Sequence, residues 1–182
     1  DARVGTSITF TTGHLFLNTR DMVLTSIANL FGYDADKYVV TASSGHLVKE
    51  NYTGAFIFPV GYAVNDYTPA TVSPATVNTM HVNVNSYAAS APDESDLAGI
   101  TRTWNIYGNT TASATISLQH NSKTNMLGFS SASNYITRYG KAPNNTGYYP
   151  STDEWQFNYQ EASLVGSVPG SEILTHTFDS LA

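Results

Sequence analysis

The chain has 182 residues, 41% of them apolar and only 12% charged, with a formal net charge of −6 and a polarity carried mainly by 23 Thr, 19 Ser and 15 Asn. That length suits one domain, and so many apolar residues with so little net charge exclude a disordered chain. Eight Lys and Arg in no basic run argue against a nucleic-acid partner, no apolar run approaches the ~18 residues of a membrane span, and the absence of Cys removes disulfides, thiolate nucleophiles and zinc–thiolate sites together.

Short alternating runs broken by Gly, Pro, Asn and Asp set the pattern from the start. Val4, Thr6, Ile8 and Phe10 alternate with Gly5, Ser7 and Thr9, which predicts a strand over 4–10. Further strands are predicted at 14–17, 21–24, 38–41, 46–49 and 55–60. The segment 22–31 is the nearest to helical, yet Gly32, Asp34 and Asp36 beside it leave room for one short turn at most. Met80, Val82 and Val84 alternate with Thr79, His81, Asn83 and Asn85, and 100–107 follows as another strand. Ala114, Ile116 and Leu118 alternate with Ser113, Thr115, Ser117 and Gln119, and the remaining strands fall at 135–139, 155–159 and 173–178.

Each run sends apolar side chains to one face and small polar ones to the other, as a half-buried antiparallel strand requires. Thr suits the polar face because its branched β-carbon favours an extended backbone. The expected fold is all-β: a single antiparallel β-sandwich of about a dozen short strands over 1–182, with little or no helix. No internal repeat and no linker is evident. The loops of note are 85–98, 140–152 and 166–171, the last (GSVPGS) reading as a tether that would let 173–178 swing away from the body.

Chemistry is sparse. His14, His46, His81, His120 and His176 stand apart, without metal-site spacing, and His14, His81 and His176 read as exposed strand residues. No nucleophile elbow, P-loop or dinucleotide fingerprint occurs, so no catalytic residue is assigned and the chain is not read as an enzyme. Carboxylates gather at Asp34 and Asp36, at Asp93, Glu94 and Asp96, and at Asp153 and Glu154. The first two groups are the candidates for a calcium site, since calcium takes hard oxygen ligands from loops. Tyr148, Tyr149 and Trp155, with Asn144 and Asn145, form the candidate glycan site: rings pack on a sugar's C–H face and amides take its hydroxyls.

One motif stands above composition. Phe58-Pro59-Val60-Gly61 followed by Tyr67-Thr68-Pro69-Ala70 resembles the signature of secreted cell-surface β domains of Bacteroidetes, which are exported by the type IX pathway and associated with adhesion or gliding. The flanks agree in order: 38–41 and 44–49 upstream, Ile100–Ile106 and 114–119 downstream, so the likeness covers roughly residues 13–140. The resemblance implies an extracellular, noncatalytic β domain and carries over no catalytic role. The motif also has an architectural reading. Pro59 would end pairing at a strand end, Gly61 would permit a tight reversal, and Tyr67 and Pro69 would resume the next strand.

These observations lead to an expected function. The chain is read as an extracellular structural subunit, a processed form without a signal peptide, since DARVGTSITF lacks the basic start and apolar core of one. Its partners are copies of itself, joined into a fibre or surface matrix by exchange of the terminal strands: Val4, Ile8 and Phe10 at one end, Ile173, Leu174 and Phe178 at the other. Such a head-to-tail contact does not close and so propagates. The alternative is a glycan-binding or adhesion module that recognises a surface polysaccharide.

Overall fold

The computed structural model describes residues 1–86, 99–130, 136, 138–140, 154–156, 163–168 and 171–181. Their regular structure consists of seventeen strands and one 3-10 turn at Ser122–Thr124, so the chain is all-β. The predicted 4–10 strand is two strands. β1 (Ala2–Val4) and β2 (Ser7–Thr9) lie in different sheets, with the bend at Gly5 and Thr6, and β3 (Leu15–Phe16) lies in a third. The circuit repeats with β4 (Met22–Leu24), β5 (Asn29–Phe31) and β6 (Val39–Val40), and again with β7 (Leu47–Tyr52), β8 (Phe56–Phe58) and β9 (Val60–Gly61). The segment 22–31, with its allowance for a helical turn, is therefore two strands joined by a tight turn in which Ala28 N–H donates to the Thr25 carbonyl at 3.0 Å.

β1, β4 and β7 pair in parallel, as do β2 with β5, and β3, β6 and β9. Residues 2–61 thus wind as three stacked coils with a ladder along each side, and the purely antiparallel sandwich expected from the alternation does not describe them. The reason is physical: alternation reports only that one strand face is buried, and that is equally true of a strand in a coil wall. Stacked positions form columns that are buried from the second coil onward. Ala2, Met22 and Leu47 form one, Val4, Leu24 and Lys49 a second, Ile8 and Leu30 a third, and Leu15, Val39 and Val60 a fourth.

The rest of the chain is antiparallel. It comprises β10 (Ala70–Pro74), β11 (Asn78–Ser86), β12 (Arg102–Gly108), β13 (Ala112–Asn121), β14 (Arg138–Gly140), β15 (Glu154–Gln156), β16 (Ser163–Val168) and β17 (Ser171–Leu181). β11 and β12 extend the first coil ladder into a five-stranded sheet, β1-β4-β7-β11-β12. β8 leaves the coil pattern and pairs with β10, opening a second five-stranded sheet in the order β8-β10-β13-β17-β16. Coil and antiparallel layers share one core: Leu24, Leu47, Phe58, Val60, Ala70, Val72, Met80, Val82 and Val84 are fully buried within it.

The Phe58–Gly61 segment is the corner between the two architectures. Phe58 ends β8 in the core, Pro59 has no N–H to pair, and its carbonyl accepts Val39 N–H at 2.9 Å, so the chain turns there into β9. Gly61 is needed for close approach: a Cβ would collide with the Asp66 carbonyl oxygen and the Tyr38 ring. The buried Tyr38 hydroxyl donates to the Ala63 carbonyl at 2.5 Å and accepts Asp66 N–H at 2.9 Å, which fixes the loop that returns Tyr67 beside Gly61.

Two buried polar side chains hold the remaining turns. Lys49 occupies a core position, only 3% exposed, and its Nζ donates to the carbonyls of Thr25, Ser26 and Ala28 at 2.9, 2.9 and 2.5 Å. The ammonium also sits 5.0 Å from the centre of the Phe56 ring, and burial pushes its pKa down. Asn83 acts alike on the next corner, its amide nitrogen lying 2.7–2.9 Å from the carbonyls of Thr41, Ser43 and Gly45. Corner carbonyls that turn inward need a donor, because an unpaired buried acceptor is costly.

Candidate functional site

The candidate site is the β1–β3 end of the coil stack, whose outer strand edges pair with no other strand among the described residues. In a parallel ladder, a residue that gives both its N–H and its C=O to one neighbour alternates with one that gives both to the other side. Ala2 N–H donates to the Asp21 carbonyl and the Val4 carbonyl accepts from Thr25, so Ala2 and Val4 face β4 and Arg3 faces away. The Thr6 carbonyl accepts from Asn29 and Phe10 N–H donates to Phe31, so Thr6, Ile8 and Phe10 face β5 while Ser7 and Thr9 face away. Leu15 and Leu17 donate to the Tyr38 and Val40 carbonyls, which leaves Phe16 facing outward. β1, β2 and β3 are edge strands on all three sides of the coil.

The side chains match this backbone. Leu24, Leu30 and Val39 of the second coil are 0–6% exposed, while Val4, Ile8 and Leu15, one step along the same columns, remain half-buried. Phe16 on the outward edge is 52% exposed. The apolar interior therefore reaches this end without a lid among the described residues. At the rim both guanidinium arms of Arg3 donate to the Glu50 carboxylate at 2.6 Å, and Asp21 N–H donates to the Asp1 side chain at 3.0 Å.

Of the residues expected to mediate exchange, Val4 and Ile8 lie at this end and Phe10 is buried just after it. The other terminal segment is placed differently. β17 is bonded on both sides within its own chain, to β13 and to β16; Leu174 and Phe178 are in the core and Ile173 is half-buried. The expected 166–171 tether connects two strands that pair as neighbours, with Val168 opposite Ser171. Alternation cannot distinguish a central strand from an edge strand, which is why the two termini looked equivalent.

Of the calcium candidates, only Asp34 and Asp36 lie among the described residues. The Asp34 carboxylate is held by Lys37 at 2.9 Å and accepts Asp36 N–H at 2.9 Å, an arrangement that holds its pKa below the usual range and ties its oxygens to their own turn. Asp93, Glu94 and Asp96 lie outside the described residues, and no group of three His, Asp or Glu suited to a metal ion occurs among those described. Tyr148, Tyr149, Asn144 and Asn145 also lie outside them, and Trp155 is described only as the centre of β15, opposite Tyr139. The three histidines expected to be exposed are not: His176 is 7% exposed, packed edge-on to Phe178 at 4.6 Å, and His14 and His81 are half-buried.

A second cluster leaves no local sequence signal because its members are far apart in the chain. On the outer face of the β1–β12 sheet, His81 stacks on Tyr107 at 4.5 Å between ring centres, and His46 stands edge-on to both. Asn109 Oδ1 lies 2.9 Å from His81 Nε2, Asn105 Nδ2 lies 3.3 Å from His46 Nε2, and Asp21 Oδ1 lies 3.5 Å from His46 Nδ1. Burial lowers the His46 pKa, with Asp21 opposing and His81 adding to the shift. The cluster offers amides beside a ring but no activated nucleophile.

A scan against protein-family models, a search of curated proteins and a search of solved structures found no match to this chain.

Proposed function

We propose that the chain is a noncatalytic extracellular structural subunit that associates with copies of itself through its N-terminal strands, as an element of a fibre or surface matrix. The observation that carries this reading is the burial gradient along the coil columns, from fully covered Leu24 and Val39 to half-covered Val4 and Leu15 beneath unpaired strand edges. Edge strands over an apolar interior are templates for pairing with another chain, and stacked-coil proteins generally close such an end with a polar cap. The likeness of the Phe58–Gly61 and Tyr67–Ala70 segments to bacterial surface proteins supports the extracellular placement.

Ser7→Pro tests the reading. It removes an N–H that faces away from the fold and leaves the bonds of Thr6, Ile8 and Phe10 to β5 in place. Light scattering is expected to show oligomers for the native chain and monomer for the variant, at unchanged circular dichroism. Equal masses for the two proteins would reject it. A second reading, glycan adhesion, is supported by the exposed amides of Asn105 and Asn109 beside the Tyr107 ring. Retention on immobilised polysaccharide that is lost in Tyr107→Ala would favour it, and no retention of the native chain would remove it.

A further inference from the structure

We infer that the outer face of the β1–β12 sheet binds a neutral pyranose sugar, laid on Tyr107 and held at its two ends by the amides of Asn105 and Asn109. This rests on the glycan reading of that ring, and it names the class of sugar and the group that holds each end. Asn105 and Tyr107 are two apart on β12, and Asn109 N–H donates to the Thr79 carbonyl at 3.1 Å, which carries the pairing one residue past Gly108. The three side chains therefore share one face, each about 7 Å from the next along the strand. β12 is the last strand of its sheet, so no strand among the described residues stands beside Tyr107 on that side. His81 covers one face of the ring, nearly parallel to it at 8° and 4.5 Å. His46 lies 5.4 Å from Tyr107 and 6.1 Å from His81, too near His81 to sit on the opposite face. His46 therefore stands at the edge of the ring, and the far face is left for the C–H face of a sugar.

The histidines fix which amide atom each asparagine presents. Asn109 Oδ1 lies 2.9 Å from His81 Nε2 and can only accept, so the hydrogen-bond network assigns the His81 proton to Nε2. His81 Nδ1, buried without a partner, is then the bare nitrogen of a neutral ring, and no N–H is orphaned. Asn105 Nδ2 donates to His46 Nε2 at 3.3 Å, which puts the His46 proton on Nδ1, facing Asp21 Oδ1 at 3.5 Å. Two groups remain without a partner among the described residues, the NH2 of Asn109 and the Oδ1 of Asn105, both on exposed side chains. One donates and the other accepts, and a sugar hydroxyl can answer either. A carboxylate or sulfate can only accept. It would use Asn109 but meet Asn105 Oδ1 and the Asp21 carboxylate with no proton to offer. Both imidazoles are neutral in this arrangement, and Arg3 at the other edge of the sheet is chelated by Glu50, so neither supplies a free cation to offset that repulsion.

Affinity electrophoresis of the full chain tests this in gels holding neutral glucan, mannan, galactan or xylan, beside gels holding alginate or carboxymethylcellulose. Retardation is expected in at least one neutral gel and in neither anionic one. Asn109→Asp is the decisive variant, because it keeps an oxygen for His81 and replaces only the free NH2. It is expected to weaken retention about tenfold at unchanged circular dichroism. Asn29→Asp, which adds the same charge at an exposed position on β5, is expected to leave retention unchanged. Retention in an anionic gel as strong as in the best neutral one would overturn the neutral class and leave the glycan reading standing. Retention that survives Asn109→Asp undiminished would overturn the amide grip. A native chain retarded in no gel would overturn the inference and the glycan reading together.

Discussion

The coil stack and the antiparallel layers solve the same problem with different ends. In the antiparallel part, each hairpin returns the chain beside itself; β17 is flanked by β13 and β16, and its Leu174 and Phe178 are covered. In the coil part each turn is covered only by its neighbour, so the third coil merges into β10 and β11 while the first is left with half-buried Val4, Ile8 and Leu15. The difference is one of topology, because the same alternating Val, Ile, Leu and Thr build both. A stack of coils has an end that local pairing cannot remove.

The comparison is broken most strongly inside the second coil. Leu24→Ala is expected to cost about 3 kcal/mol in urea denaturation, against about 1 kcal/mol for Val4→Ala in the dilute monomer, since the loss scales with the cavity left behind. Equal losses would mean that the coil end is covered in the monomer. The junction is the next most sensitive place. Gly61→Val forces the Tyr38 ring and the Asp66 loop apart and is expected to cost about 3 kcal/mol or less, read as a lowered midpoint with the Tyr38 environment changed in near-ultraviolet circular dichroism. Lys49→Met keeps the volume of the buried stem but leaves the Thr25, Ser26 and Ala28 carbonyls without their donor, at about 2 kcal/mol. A variant as stable as the native chain would show that water replaces the ammonium.

The smallest effect is expected on the outer face. The His46 pKa is depressed by burial, so its contribution to stability is present above its ordinary value of 6.5 and is lost as pH falls through its lower folded value. Denaturation midpoints between about pH 7.5 and about pH 5.5 should therefore fall less for His46→Gln than for the native chain. Identical slopes would remove His46 as a source of that pH dependence.

Much of the architecture was legible in the residues. The all-β class followed from alternation and turn residues, and the strand positions at 21–24, 38–41, 46–49 and 100–107 lie within a few residues of β4, β6, β7 and β12. The parallel coils were not legible, because their corners differ in length: Met22 stacks on Ala2 and Leu47 on Met22 across unequal intervals, so no fixed repeat marks them. Gly5 was the available signal, a small residue interrupting the 4–10 run where the chain changes sheet. Alternation alone marks Val4 and Ile8, while Arg3, Ser7 and Phe16, which carry the outward backbone groups, become visible only once strand direction is known. Local sequence marks Lys49 only as one end of a strand, since nothing nearby says that three carbonyls turn toward it.

Amide hydrogen exchange, resolved by residue and by protein concentration, reads out whether copies meet at the coil end. If the coil end is the surface on which copies meet, the amides of Arg3, Ser7 and Thr9 exchange freely in dilute protein and become protected as concentration rises, while Ile8 and Phe10, bonded to β5, are slow throughout. Exchange at Arg3, Ser7 and Thr9 that stays fast at every concentration would contradict it.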